Sequence, residues 1–312
     1  MSKKILVIQS IFLYFLLIGD GCTNQKVVIE FPKVDKNKAF NYLLDQVNIG
    51  YRYIGTEAHV ICGDYIKERI EKYADRVEVQ NFYIQFRSKD VSCRNIIGFF
   101  DGKNNENRFL LGAHYDTRPV ADMDRDYSKR DQPILGANDG ASGVAVLLSI
   151  AESLHKQKPD RSIIMVFFDA EDAGGIDGLT YCIGSDYFSK NMSQYKIYYG
   201  IVIDMVGDSD LLIYKELYSL NYAHDLVVEM WRSAWMEGYS SKFSYRQRYN
   251  IFDDHVPLNK QGVPTIDIID FDYPYWHTLE DTPDKCSSES LSIVGNSVLN
   301  FIYNSSFGIN PE

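Results

Sequence analysis

The chain has no surplus of basic residues: 32 lysines and arginines stand against 43 aspartates and glutamates, a formal net charge of −11 over 312 residues. Nucleic acid is a polyanion gripped mainly by Lys and Arg, so a chain this acidic is a poor candidate to bind it. Cysteine is scarce as well. Apart from Cys22, the cysteines are Cys62, Cys93, Cys182 and Cys286, and their wide spacing contains no CxxC pair. That removes the usual thiolate metal sites and leaves buried thiols or one disulfide, for which four cysteines allow three pairings. Internal repeats, low-complexity tracts and linker-like shifts of composition are all missing. One domain is therefore expected, although the length would accommodate two modest cores.

Long apolar runs are missing too, with one exception. After Lys3 and Lys4 comes "ILVIQSIFLYFLLIG", which is short for a membrane span and reads as export machinery. It leads into "GDGC", which resembles a loose bacterial lipoprotein cleavage site, with Gly19 where leucine is usual. An ordinary secretory peptide is the alternative. The organisation expected is a signal peptide over 1–21, Cys22 as first mature residue, a tether over 22–34 and a single catalytic domain over 35–312. The protein is then exported and periplasmic, touching a bacterial membrane only through lipid on Cys22. Loss of Lys3, Lys4 and Asp20 takes away a net +1 and leaves the mature chain near −12.

What is present is an alternation of strand-like and helix-like segments, the pattern of an α/β protein with helices on both faces of a mixed, mostly parallel sheet, a three-layer αβα arrangement. Strands are expected at 77–86, 94–100, 108–116, 161–170, 199–207 and 263–270. Several are nearly continuous apolar runs, as strands covered on both faces should be. Helices are expected at 38–47, 58–74, 141–157, 221–238 and 288–304. In the third of these, Val144, Leu147, Leu148 and Ala151 share one helical face. The polar stretch 117–135 reads as a long surface loop.

Chemistry-bearing residues collect where the strands end. "AHYD" carries His114 and Asp116, "GANDGASG" carries Asp139, "FFDAEDAGG" carries Glu171 and Asp172, "VIDMVG" carries Asp204, and "YPYWHT" carries Trp276 and His277. Sites in open α/β sheets form at the carboxyl ends of the strands, so these places are expected to converge. Taken singly, each has an ordinary explanation. Asp139 suits an N-cap for the helix that follows. A lone histidine at a strand end is commonly a hydrogen-bonded structural residue. Asp204 is harder to explain so, because it interrupts "GIVIDMV" and a buried lone carboxylate is costly without a partner. A divalent metal would supply that partner, and imidazole with carboxylate oxygen suits zinc.

Taken together, "HYD", "NDG", "AED", "ID" and "WH" in this order resemble the M28 family of zinc exopeptidases, over essentially the whole mature chain. In aminopeptidases of that family two zinc ions are held by residues matching His114, Asp139 (bridging), Asp172, Asp204 and His277, with Glu171 matching the general base. Asp172 stands where most members carry Glu. The same architecture includes the glutaminyl cyclases, whose C-terminal region 252–278 resembles, through an Asp-Asp-His, a Gly-Val-Pro strand and then Trp-His. That resemblance implies one zinc on Asp139, Asp172 and His277, with Trp276 walling the substrate pocket. Glu171 would shuttle the proton, and Asp204 and Asp253 would line the reaction centre. His114, Asp116 and Asp204 would be second-metal or supporting residues. Asp267 departs from the histidine of animal cyclases, and Tyr181 stands where bacterial relatives often carry Trp. Asn138 is expected to shape the turn.

The implied activity is closure of N-terminal glutamine of peptides or proteins to pyroglutamate with loss of ammonia. The alternatives are a two-zinc aminopeptidase and a noncatalytic binding protein on this fold.

Overall fold

The computed structural model describes residues 28–308. In chain order they form α1 (Lys36–Ile49), α2 (Glu57–Ile70), β1 (Arg76–Phe86), β2 (Lys89–Phe100), β3 (Asn104–His114), α3 (Ala141–Lys156), β4 (Arg161–Phe168), α4 (Ile183–Lys190), β5 (Ile197–Asp204), β6 (Ile213–Lys215), α5 (Leu217–Met236), β7 (Phe243–Gln247), α6 (His255–Lys260), β8 (Thr265–Ile269) and α7 (Ser288–Asn304). The signal segment and Cys22 lie outside the described residues.

The main sheet runs β1-β2-β4-β3-β5-β8. β1/β2 and β2/β4 are antiparallel, and β4/β3, β3/β5 and β5/β8 are parallel. The mixed, mostly parallel sheet expected from the alternating segments is thus the one formed. Every residue of β4 is buried, and its side chains alternate between two cores. Ile163, Met165 and Phe167 join a core with α1, α2, α3, α5 and α7, while Ile164, Val166 and Phe168 pack on the other face with Phe188 of α4 and Leu258 of α6. This period of two explains why the strand reads as an unbroken apolar run: both faces are covered.

Helix starts follow capping chemistry. Asp35 accepts from the amides of Asn37 and Lys38 at α1, Thr56 from His59 at α2, and Ser287 from Glu289 at α7. α3 differs: Gly140 occupies the cap position and no side chain caps the helix. Asp139 is therefore not spent on capping. α3 is buried almost all round, beyond the one face predicted, because it lies between the sheet and α1 and α7.

Four elements were not anticipated, namely α4, α6, β6 and β7. They are three to eight residues long, too short for a periodic signal to accumulate. The stretch 117–135 is the surface loop expected only in its middle, where 125–129, 131 and 132 are exposed, and its ends are drawn inward. Thr117, Arg118, Ala121 and Ile134 are buried, the Met123 amide donates to the His277 carbonyl, and the Ile134 amide donates to the Arg118 carbonyl. This segment is folded down onto the strand ends. Residues 29–34 lie along α7, with the Val34 amide on Asn296 Oδ1 at 2.9 Å and Phe31 stacked on Tyr303. Cys62, Cys93, Cys182 and Cys286 are all free and buried.

Candidate metal centre and active site

β4, β3 and β5 lie side by side and parallel, so their carboxyl ends open at one edge. His114 is the last residue of β3, Asp204 is the last of β5, and Glu171 and Asp172 follow β4. Three residues that are themselves a donor or adjoin one in the chain take left-handed backbone: Ala170 (φ 56°), Met205 (φ 46°) and His277 (φ 54°). Non-glycine residues rarely adopt this conformation, and they cluster at functional sites where surrounding structure enforces them. Here each reverses the chain beside a charged side chain and aims it at the cleft. Gly140 serves the same closeness, since a Cβ there would collide with the His114 imidazole.

Asp139 stands at the centre. Its Oδ1 is 3.1 Å from His114 Nε2, and its Oδ2 is 3.6 Å from His277 Nε2. His114 Nε2 is also 3.1 Å from Asp204 Oδ1, and His277 Nε2 is 3.2 Å from Asp172 Oδ1. Two buried triads therefore share one carboxylate: His114, Asp139, Asp204 and Asp139, Asp172, His277. Donors bound at ~2.0–2.1 Å to a tetrahedral zinc lie about 3.3 Å from one another. The histidine–carboxylate separations in both triads, 3.1 to 3.6 Å, lie around that spacing, and Asp172 Oδ2 is buried with no hydrogen-bond partner. The residues present fit zinc in donor type, spacing and unspent valence.

A second tier of groups fixes these donors. Asp116 accepts the amides of Glu171 and Asp172 at 3.0 and 3.1 Å, with its Oδ1 3.6 Å from His114 Nδ1. Asp281 accepts the amides of Asn138 and Asp139 at 2.8 and 3.2 Å. Asn138 Oδ1 accepts the Gly207 amide at 2.6 Å, so Asn138 shapes the turn as expected. Fully buried Arg52 donates to the carbonyls of Leu135 and Gly136, both at 2.8 Å. Asp122, from the segment expected to be solvated, lies 3.2 Å from His277 Nδ1.

The electrostatics follow from so many buried acids. Burial pushes Glu171 well above the usual carboxylate range; His114 opposes this, and Asp172, Asp253 and Asp254 reinforce it. Burial likewise raises Asp204 to about 7, with His114 pulling down and Asp253 and Asp139 pushing up. Burial works against charge on His277, yet Asp172, Asp122 and Asp139 raise it to about 9. The cluster draws positive charge strongly, and a divalent cation satisfies it.

A cleft of about 290 Å³ opens over the second triad. Its floor is Asp139, Glu171, Asp172, Asp204, Asp253 and His277, and its walls are apolar, among them Tyr181, Ile251, Phe252, Phe271 and Trp276. Glu171 Oε1 is 3.4 Å from the thiol of fully buried Cys182. Asp267 sits deeper, with both carboxylate oxygens lacking hydrogen bonds and Oδ2 4.0 Å from His255 Nδ1. His114, Asp116, Asp139, Glu171, Asp172, Asp204, Asp253, Trp276 and His277 thus meet here as expected from the sequence. Asp122, Arg118, Asp281 and Cys182 were missed. None of the four carries a sequence signal of its own.

A family model described as Peptidase family M28 matches residues 95–302. The chain belongs to that family. Among M28-like structures, a Bacteroides thetaiotaomicron glutaminyl cyclase bound to N-acetylhistamine is 37% identical, with a TM-score of 0.84, over 88% of this chain and 100% of that one. A leucine aminopeptidase precursor from the same organism is also 37% identical, with a TM-score of 0.85, over 89% of this chain and 100% of that one. The glutaminyl-peptide cyclotransferase of Drosophila melanogaster is 24% identical over 85% of this chain and 81% of that protein.

Proposed function

We propose that this chain is a glutaminyl-peptide cyclotransferase, acting on peptides or proteins with N-terminal glutamine and using one functional zinc on Asp139, Asp172 and His277. The observation that carries this reading is Trp276: its indole stacks on His277 and lines the same cleft as Glu171. A flat apolar wall beside a metal-binding histidine suits a folded-back glutamine side chain. The N-terminal segment supports an exported enzyme, lipid-anchored through Cys22.

In the reaction the α-amine forms a bond to the side-chain amide carbon, the bond from that carbon to the amide nitrogen breaks, and ammonia leaves. Zinc, when bound, polarises the amide oxygen and stabilises the negative charge that develops on it. Glu171 accepts a proton from the attacking amine and delivers it to the departing nitrogen. Its raised proton affinity suits both halves of that task. Cys182 is positioned to donate its S–H to Glu171 Oε1 and hold the carboxyl in place. Asp204 and Asp253 face the same cleft and supply acceptors for the amine and the leaving nitrogen. Because the nucleophile belongs to the substrate, Trp276 contributes by holding the folded conformer, where orientation supplies much of the rate.

A two-zinc aminopeptidase is the second reading, favoured by the His114, Asp139, Asp204 triad, whose histidine–carboxylate separations of 3.1 Å are close to the 3.2 and 3.6 Å of the Asp139, Asp172, His277 triad. Incubation with Gln-Ala-Phe and mass spectrometry separates the two. Cyclisation lowers peptide mass by one ammonia and frees no glutamine. Release of glutamine, with rapid cleavage of leucyl-anilide by enzyme carrying two zinc ions, would make the aminopeptidase correct.

A further inference from the structure

We infer that Asp122 and Arg118 are positioning residues for the metal centre, Asp122 by fixing the ring of His277 and Arg118 by tying Asp122 to the backbone of Asp172. The inference rests on reading Asp139, Asp172 and His277 as zinc ligands. Asp122 Oδ1 lies 3.2 Å from His277 Nδ1, while Nε2 of the same ring faces Asp172 and Asp139. With Nδ1–H donated to Asp122, the tautomer is set and the Nε2 lone pair points at the triad.

Arg118 holds Asp122 by a two-pronged contact, Nε to Oδ1 at 2.8 Å and Nη2 to Oδ2 at 2.6 Å. Its third nitrogen, Nη1, donates to the carbonyls of Asp172 and Gly174, both at 3.1 Å, and lies 3.4 Å from Asp172 Oδ1. The Arg118 side chain is only 4% exposed, whereas Asp122 is 42% exposed. One buried guanidinium therefore spans the partner of one ligand and the backbone of another, with the planar fork that a lysine cannot offer.

Zinc affinity measured by chelator competition, together with melting temperatures of the zinc-free and zinc-loaded proteins, tests this. Asp122→Ala should weaken zinc binding about 10- to 100-fold and shrink the zinc-induced rise in Tm, with the zinc-free Tm near that of the wild type. Asp122→Asn, which still accepts the Nδ1–H but without charge, should fall between. Arg118→Lys should weaken binding at least as much as Asp122→Asn. Wild-type affinity in Asp122→Ala, alongside loss of zinc in His277→Ala, would overturn the inference and leave the ligands standing. An equal drop in zinc-free and zinc-loaded Tm, with affinity unchanged, would make the pair a loop anchor and also overturn it. Retention of zinc by His277→Ala would remove the ligand reading and the inference together.

Discussion

The indole of Trp276 lies on the imidazole of His277, with ring centroids 3.9 Å apart and planes 29° from parallel. Phe271 also packs on the indole, with ring centroids 5.1 Å apart, so two rings hold this wall of the cleft. Trp276→Ala should lower kcat/KM for glutaminyl peptides roughly 10- to 100-fold, the equivalent of about 1.5–3 kcal/mol of lost apolar contact. Zinc content should stay at the wild-type level. Steady-state kinetics with metal analysis checks both, and an unchanged kcat/KM would remove Trp276 from the substrate surface.

Glu171→Gln preserves shape and hydrogen bonding but cannot carry a proton. The turnover number should fall by roughly 10²- to 10⁴-fold, the usual worth of general acid–base catalysis, with zinc retained. Turnover close to normal would assign proton transfer elsewhere.

The two triads predict different metal losses. Asp139→Ala should abolish zinc binding altogether, because Asp139 serves both sides. Asp204→Ala should leave one zinc per chain on Asp172 and His277. Elemental analysis after dialysis reads the stoichiometry, and a zinc-free Asp204→Ala would show that the ion sits on the His114 side.

Asp270 gives a pH dependence away from the metal donors. Burial, with Asp208 and Asp272 nearby, raises it to about 7, against the amides of Leu212 and Asp272 that favour its charge. The folded state thus holds its proton more tightly than the unfolded chain. Its contribution is complete below about 4 and is lost as pH rises through about 7. At pH 5 Asp270 is protonated and still turns two oxygens to the Leu212 and Asp272 amides, whereas Asp270→Asn sets an NH2 donor against one of those amides, so it should be less stable than wild type there. The gap should narrow by pH 8.5. Denaturant titrations at both pH values decide it, and a gap that widens with pH would be the wrong sign.

Much of the site was readable because a buried strand has a strong signature. The runs ending at His114, Phe168 and Asp204 are unbroken and apolar, so acids and histidines at their ends stood out. Asp139 was ambiguous between cap and ligand, and only the empty cap at Gly140 resolves it. Asp122 was hidden for a different reason. Its neighbours Asp124, Arg125, Asp126 and Lys129 are the composition of a solvated loop, and the pull of His277 and Arg118 on the segment is a tertiary contact that no local window contains. α6, with Pro257 inside six residues, was invisible to periodicity.

Asp139 gives one oxygen to each triad. A cation on one side draws electron density from the carboxylate that the other side would use, and it also adds positive charge nearby. Two ions on these positions would therefore not load independently: the first would lower the affinity for the second, and by linkage the reverse would hold to the same factor. Were both positions to take an ion, metal supply would become a variable of the chemistry itself, scarcity favouring the singly loaded molecule. A single shared acid thus ties the fate of one position to the other.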